Sequence, residues 1–198
     1  IHISTDEVYG ESLSDELEKT EKSILCPTNP YAATKGAAEL LVQSYYYSFN
    51  LPIIITRGNN VYGYNQYPEK LIPKFIQLLK NNKKVTIQGD GSAIRSFLFI
   101  DECIDATIKL TRSTFTGPVN IGSEEMISIN NLAKMAIDIS SKSVSIDNID
   151  GQEFVDKYGH KCPLGVNGRN SDNTLYRNEL QWEVSQPLRD GIEKTYAW

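Results

Sequence analysis

Three consecutive isoleucines at positions 53–55 constrain the fold of this chain more than any other feature of its sequence. With Thr56 they form a short, continuous β-branched run, which is typical of a strand buried on both faces of a parallel sheet. A buried strand is also predicted at residues 1–4. Between the two, residues 31–49 are rich in alanine and leucine, with Pro30 suited to the first helical position. The sequence therefore predicts an α/β fold.

Polar side chains follow the first predicted strand, at the end where ligands bind in open α/β sheets. They are Thr5, Asp6 and Glu7. Tyr31 and Lys35 are four residues apart on the predicted helix and so share a face. A lysine ammonium beside a phenol lowers the pKa of the phenol, because the opposite charge favours the ionised form. Such a phenol can act as general base on a substrate hydroxyl, so the set predicts an enzyme.

Each of these features alone also has an ordinary structural explanation. Tyr-x-x-x-Lys occurs by chance in many helices, and an Asp-Glu pair after a strand is often only a cap or a turn. Their combination in one chain favours catalysis. Two neighbouring carboxyl groups resist being ionised together, so one acid can keep its proton while the other acts as a base.

Composition excludes several other classes of protein. The chain has 198 residues, of which 40% are hydrophobic, enough for a substantial core. A net charge of −5 and a pI near 5.1 argue against nucleic acid and anionic membranes as partners. No apolar run has membrane-spanning length. Cys26, Cys103 and Cys162 lack metal-ligand spacing, as do His2 and His160, so we expect reduced thiols, no metal and a cytoplasmic protein without a signal peptide.

The remaining pattern alternates short strands with amphipathic helices. An acidic surface loop that could cover the site is predicted at residues 11–27, and a polar loop at 58–66. Further strands are predicted at 85–88, 94–100 and 119–122, and helices at 68–80, 101–112 and 128–139. Asp101 and Ser128 are the predicted caps of two of these helices. Gly89-Asp90-Gly91 is interpreted as a hairpin turn.

A glycine-rich turn between a strand and a helix, which would bind the pyrophosphate of a dinucleotide, is not found in the sequence. We therefore expect the chain to be the carboxyl-terminal part of a longer protein. On that interpretation the first strand lacks parallel neighbours, and the isolated chain is expected to be inactive and to bind NAD negligibly.

Four segments carry a resemblance to a known family. They are Ser4-Thr5-Asp6-Glu7-Val8-Tyr9-Gly10, Asn29-Pro30-Tyr31-Ala32-Ala33-Thr34-Lys35, Thr56-Arg57-Gly58-Asn59-Asn60-Val61-Tyr62-Gly63 and Tyr67-Pro68-Glu69-Lys70-Leu71-Ile72-Pro73. They resemble nucleotide-sugar 4,6-dehydratases of the extended short-chain dehydrogenase/reductase family. The Thr-Asp-Glu triplet separates these enzymes from the related 4-epimerases and decarboxylases. The residues of these segments are most similar to those of the UDP-glucose enzyme of rhamnose biosynthesis, and next most similar to those of the dTDP-glucose enzyme.

The resemblance implies a reaction with NAD that is recycled in each turnover. Tyr31 would remove the proton of the sugar 4-hydroxyl, and Thr5 would hydrogen-bond the same oxygen. Glu7 would then remove the C5 proton, while a protonated Asp6 donates to the departing 6-hydroxyl. Lys35, together with Tyr31, would bind the cofactor, on the nicotinamide ribose side.

The resemblance also implies a set of substrate contacts. These are Asn60, Glu69, Lys70, Leu71, Thr86, Gln88, Arg95, Asn120 and Arg169. Arg95 and Arg169 are the cations expected at the diphosphate, because a guanidinium binds phosphate oxygens in pairs. Gln88 departs from the family, whose members place an aromatic ring there against the base.

Two lobes are predicted from this resemblance. Residues 1–66 would be the last strands and helix of an NAD-binding Rossmann-type parallel sheet, and residues 67–198 mainly a small α/β substrate-binding lobe, interleaved with the sheet around 96–122. A nucleoside-diphosphate glucose is the expected substrate and a homodimer the expected assembly. Two alternatives stay open, a 4-epimerase or decarboxylase of the same family, and a non-catalytic module that binds nucleotide sugars.

Overall fold

The computed structural model describes residues 1–11, 18–162 and 171–198, which form short strands alternating with helices. In chain order the elements are β1 (His2–Thr5), a 3-10 turn (Asp6–Tyr9), α1 (Pro30–Phe49), β2 (Ile54–Gly58), β3 (Asn60–Tyr62), α2 (Leu71–Lys80), β4 (Val85–Gln88), β5 (Ile94–Phe99), α3 (Ile100–Arg112), β6 (Gly117–Ile121), β7 (Met126–Ser128), α4 (Ile129–Ser140), β8 (Ile146–Ile149), α5 (Gly151–Tyr158), α6 (Thr174–Leu180) and α7 (Leu188–Ala197).

Parallel pairing dominates, and the predicted α/β fold is confirmed. A sheet with the order β1-β2-β6 is parallel throughout. A second sheet has the order β3-β5-β7, in which β7 alone runs antiparallel to its neighbour, and β4 pairs with β8 in parallel. Because β1 pairs only with β2 among the described strands, it lies at a sheet edge. Ile3 is accordingly 53% exposed, so the prediction of a fully buried first strand was wrong.

Two turn assignments were also wrong. The loop predicted at 58–66 contains β3, which pairs with β5. The predicted hairpin at Gly89-Asp90-Gly91 does not form, because β4 and β5 belong to different sheets. The turn instead packs on α4, where the side chain of Asn130 donates to the Asp90 carbonyl at 2.9 Å and its backbone N–H donates to the Gly91 carbonyl at 3.0 Å.

Helix boundaries follow local chemistry at most positions. Pro30 occupies the first turn of α1, and Ser128 caps α4 by accepting a hydrogen bond from Asn131, as predicted. Asp101 does not cap α3, because β5 runs directly into that helix and Phe99 holds the cap position. Asp101 lies instead in the first helical turn, where a carboxylate interacts favourably with the helix dipole.

Two apolar clusters form the core. The larger one joins α2, α4 and α7 to strands β3, β4 and β5, with Phe75, Leu79 and Leu132 at its centre. The smaller one joins α3, α6 and β6 around Leu110 and Tyr176. The three cysteines are free thiols. None of the helices in the described residues has the length and apolar character needed to cross a membrane.

Candidate active site

The predicted acids lie in the 3-10 turn that follows β1, at the carboxyl end of the β1-β2-β6 sheet. The hydroxyl of Thr5 caps this turn by accepting the backbone N–H of Glu7 at 3.2 Å. Asp6 is only 3% exposed and is therefore the more desolvated acid. Its carboxyl oxygen Oδ1 is 3.4 Å from the Thr5 hydroxyl. The turn thus presents a hydroxyl and two carboxyl groups within three consecutive residues.

Tyr31 stands beside these groups at the start of α1, which packs against β1 and the turn. Tyr31 is 53% exposed, and its hydroxyl lies near the Thr5 side chain. The pKa of Tyr31 is raised, chiefly by burial of the hydroxyl end and next by the charge of Glu7. The Thr5 side chain lowers the pKa and the charge of Asp6 raises it further, so the phenol holds its proton at neutral pH.

Lys35 does not have the effect on Tyr31 that its spacing predicts. Its ammonium donates to the backbone carbonyl of Ile3 at 2.9 Å, which directs it along β1. There it contributes, after burial, to lowering the pKa of His2. The expectation that Lys35 depresses the phenol pKa was therefore wrong in this structure, because the side chain turns to the strand backbone.

A cavity of about 850 Å³ opens in front of the acids. It lies between the β1-β2-β6 sheet and the first turn of α2, with α3 along one side. Eight of the predicted site residues line it, namely Thr5, Asp6, Glu7, Tyr31, Asn60, Lys70, Leu71 and Arg95. Lys70, which directly precedes α2, Leu71 on α2 and Arg95 on β5 add two cations and an apolar side chain to the lining. The cavity therefore combines proton-handling groups with positively charged side chains.

Five other predicted site residues in the described ranges do not line this cavity. Lys35 lies along β1, and Glu69 is exposed ahead of α2. Thr86 and Gln88 are on β4, whose partner is β8. The remaining one is Asn120.

Asn120 is fully buried, and its amide is occupied by protein groups. Its nitrogen donates to the carbonyls of Lys19 and Asp172, both at 3.0 Å, and its oxygen accepts the Tyr9 hydroxyl at 2.7 Å. The structure thus contradicts a substrate contact by Asn120, since all of these partners are internal. Arg169 lies outside the described residues.

The loop predicted at residues 11–27 was expected to cover the site. Its described part, residues 18–27, contributes nothing to the cavity lining. Instead, Glu21 accepts the backbone N–H of Asn120 at 2.8 Å, and its own carbonyl accepts from Arg57 at 3.1 Å. This stretch is bound to β2 and β6, because it supplies acceptors to donors at the end of those strands.

A buried polar network beneath the acids escaped the sequence reasoning. Arg57 on β2 and Glu39 on α1 form an ion pair, and Glu39 also accepts the hydroxyl of Ser4, which directly precedes Thr5. Arg57 donates as well to the hydroxyl of Tyr9, at the end of the acid-bearing turn. An arginine inside a strand that reads as buried was the signal for such a pair.

Asn29 belongs to one of the four segments that carry the family resemblance, but the sequence predicted no role for it. In the structure its side chain contacts both Glu7 and the start of α1. An asparagine directly before a proline at the first helical position is a recognisable cap, which was the signal available. Its bond to Glu7 could not be predicted, because it depends on how β1 and α1 pack.

A family model described as GDP-mannose 4,6 dehydratase matches residues 1–195. A dTDP-D-glucose 4,6-dehydratase of Dictyostelium discoideum is 40% identical over 234 residues, covering 100% of the chain and 54% of that protein. A trifunctional UDP-glucose 4,6-dehydratase, epimerase and reductase of Arabidopsis thaliana is 42% identical, covering 100% of the chain and 29% of that protein. The chain thus spans about half the length, or less, of these relatives.

Solved structures agree with this picture. A dTDP-glucose 4,6-dehydratase from Bacillus anthracis in complex with NAD has a TM-score of 0.86 and 29% identity, over 99% of the chain and 59% of that protein. A UDP-glucuronic acid 4-epimerase variant from Bacillus cereus, in complex with NAD and a fluorinated UDP-sugar, has a TM-score of 0.87 and 30% identity, over the same shares.

Proposed function

The chain belongs to the GDP-mannose 4,6-dehydratase family, and on that premise we propose that it carries the acids, the tyrosine and the sugar cavity of an NAD-dependent nucleotide-sugar 4,6-dehydratase. The observation that carries the proposal is the convergence of Thr5, Asp6, Glu7 and Tyr31 on one cavity that Lys70 and Arg95 also line. A 4-epimerase needs the tyrosine but has no use for both acids.

Each reacting group would have one task in this reaction. Tyr31 takes the proton of the sugar 4-hydroxyl while the C4 hydride leaves, which gives a 4-ketone. Glu7 then takes the C5 proton, which the ketone has made acidic, and Asp6 gives a proton to the 6-hydroxyl, which departs as water. Addition of the hydride to C6 and of a proton to C5 completes the 4-keto-6-deoxy sugar. Asp6 suits the role of acid, because the more desolvated of two carboxyl groups is the one that keeps its proton more readily.

Lys35, beside the site, has donors that fit the binding of NAD. The Lys35 ammonium has three N–H donors, of which one is given to the Ile3 carbonyl. The others can bind ribose hydroxyls along β1. When bound, NAD supplies the hydride acceptor and donor, and its cationic ring is the charge that would lower the raised pKa of Tyr31.

We propose UDP-glucose as the first substrate and dTDP-glucose as the second. The support is the identity with the plant trifunctional enzyme, which is slightly above that with the dTDP-D-glucose relative. Arg95 and Lys70 are the cavity cations placed to meet the diphosphate. The lobe boundary near residue 66, the cytoplasmic location and the homodimer stay predictions.

The test is turnover of UDP-glucose by the NAD-loaded full-length protein in heavy water. We expect a 4-keto-6-deoxy sugar that carries deuterium from the solvent at C5, because Glu7 exchanges its proton with water. A C4 epimer without deuterium at C5 would instead identify an epimerase. Binding of the nucleotide sugar without conversion would identify a non-catalytic module.

A further inference from the structure

The side chain of Asn29 bonds two elements of the site at once. It holds the cap position of α1, where its oxygen Oδ1 accepts the backbone N–H of Ala32 at 2.9 Å. Its nitrogen Nδ2 donates to Oε2 of Glu7, also at 2.9 Å. Asn29 is thus a direct link between the acid-bearing turn after β1 and the helix that carries Tyr31.

The orientation of this amide is fixed by its surroundings. A backbone N–H can only donate, so the atom of Asn29 that faces Ala32 must be the oxygen. The NH₂ group is therefore the one that faces Glu7, and it too can only donate. The Glu7 oxygen in contact with it must accept, which places any carboxyl proton on the other oxygen. The contact therefore suits a carboxylate that receives protons.

Glu7 and Tyr31 also act on each other through this arrangement. The negative charge of Glu7 is, after burial, the next cause of the raised pKa of Tyr31, so the carboxylate lies within electrostatic reach of the phenol. A glutamate side chain has several rotatable bonds, so the position of its carboxylate depends on the groups that contact it. The amide of Asn29 supplies a restraint that comes from α1 itself.

We propose that Asn29 is a positioning residue, which orients the Glu7 carboxylate for C5 proton removal by tying it to the same helix end that presents Tyr31. This inference rests on the proposed function, in which Glu7 is the base. It assigns Asn29 no contact with the reacting atoms. Its effect should therefore appear in the proton-removal step and not in substrate affinity.

The matched pair of variants is Asn29→Asp and Ser128→Ala. Aspartate caps a helix as well as asparagine does, but it replaces the N–H donor facing Glu7 with a carboxyl oxygen. Ser128 caps α4 through a single bond to the Asn131 N–H at 3.2 Å, so Ser128→Ala removes a cap from a helix that carries none of the proposed catalytic residues. If Asn29 had a purely structural role, Asn29→Asp would keep the wild-type kcat. Its stability would then be closer to that of the wild type than the stability of Ser128→Ala is.

In the NAD-loaded full-length protein we expect Asn29→Asp to lower kcat by up to about a hundredfold with KM nearly unchanged, the scale of misplacing one catalytic group by about 1 Å. Deuterium exchange at C5 should fall by the same factor, while C4 oxidation continues, so NADH absorbance should build up with substrate bound. Ser128→Ala should keep the wild-type kcat. Equal kcat in Asn29→Asp and the wild type would overturn the inference.

A second readout does not depend on activity and uses the 198-residue chain. Nitrogen-15 NMR of the Asn29 side-chain amide should show a proton shift that moves as acid is added, because Glu7 is its acceptor. In Glu7→Gln the same signal should stay constant over that range. A signal that is constant in the wild type as well would refute the contact on which the inference stands.

Deuterium exchange at C5 separates the failure of the inference from the failure of the proposed function. A wild type that exchanges deuterium at C5, with Asn29→Asp equally fast, sinks the role of Asn29 alone. A wild type that binds substrate but never exchanges at C5 sinks the dehydratase assignment and this inference with it.

Discussion

Replacing Arg57 by methionine should be among the most damaging single changes to the stability of this chain. The Arg57 and Glu39 side chains are 3% and 0% exposed, and the guanidinium reaches the carboxylate through Nη2 at 2.6 Å and Nε at 3.0 Å. A further donor bonds the Tyr9 hydroxyl at 2.8 Å. Burial lowers the pKa of Arg57, but the hydrogen bond with Glu39 and the contact with Tyr9 raise it overall, so the guanidinium keeps its charge at every ordinary pH.

The magnitude follows from what the substitution leaves behind. Methionine fills much of the volume of the arginine stem, so the substitution leaves little empty space and the free-energy cost of a cavity is small. Glu39 keeps a buried negative charge whose hydrogen bond from Ser4 remains. Breaking a buried pair in this way costs about 3–5 kcal/mol of unfolding free energy. A domain of ordinary stability has only ~5–15 kcal/mol in total. The variant should therefore be unfolded or nearly so under mild denaturation.

The assay is urea unfolding of the 198-residue chain, followed by circular dichroism. The matched control is Arg189→Met, which breaks exposed pairs with Asp138 and Glu193 and should leave the unfolding midpoint almost unchanged, because solvent screens such pairs. The double variant Arg57→Met/Glu39→Leu should regain most of the loss, since no charge is then left unpaired. The reasoning is refuted if Arg57→Met costs no more than the control, or if the double variant is no more stable than the single one.

The remaining predictions concern the site. Glu7→Gln should stop deuterium exchange at C5 yet allow C4 oxidation, and Asp6→Asn should exchange C5 deuterium faster than it forms product. C5 exchange in Glu7→Gln at the wild-type rate, or product formation by Asp6→Asn as fast as its C5 exchange, would contradict these roles. Tyr31→Phe should slow oxidation by roughly a hundredfold, read as NADH formation in a single turnover, and an unaffected rate would leave the tyrosine as a helix residue only. Gly122→Ala would place a Cβ 1.1 Å from Oδ1 of Asn59, so it should cost about 1–3 kcal/mol in urea unfolding, and a wild-type midpoint would show that Asn59 moves freely.

Local features of the fold were predictable because local chemistry decides them. The apolar run at 53–55 is the interior of β2, Pro30 starts α1, and Ser128 caps α4. The acid triplet also falls at the carboxyl end of its strand, as the parallel sheet requires. In each case the residues that fix the structure are neighbours in sequence.

The errors share a different cause, which is a partner far away in sequence. The Gly89–Gly91 turn resembles a hairpin, but Asn130 on α4 binds its carbonyls and β4 pairs with β8 instead. Lys35 has the right spacing to Tyr31, yet the Ile3 carbonyl takes its ammonium. Asn120 has the chemistry of a ligand contact, but internal carbonyls occupy it. Spacing shows which groups share a face and cannot show which acceptor each one finds.

The position of the buried ion pair between Arg57 and Glu39 says more about its role than its contribution to stability does. Ser4, Arg57 and Asn120 are register neighbours on β1, β2 and β6, and successive side chains on a strand point to opposite faces. The side chains of Thr5 and Ser4 therefore point to opposite faces of the strand, although both residues line the cavity, and Glu39 accepts the Ser4 hydroxyl. Apolar side chains of similar volume often stabilise a protein as well as a buried pair does, so stability alone does not account for these charges. If Arg57→Met/Glu39→Leu regains the wild-type midpoint but turns over the sugar more slowly, the pair holds the strand end that carries the acids in place. A double variant with both the wild-type midpoint and the wild-type turnover rate would show that the pair does not have that role.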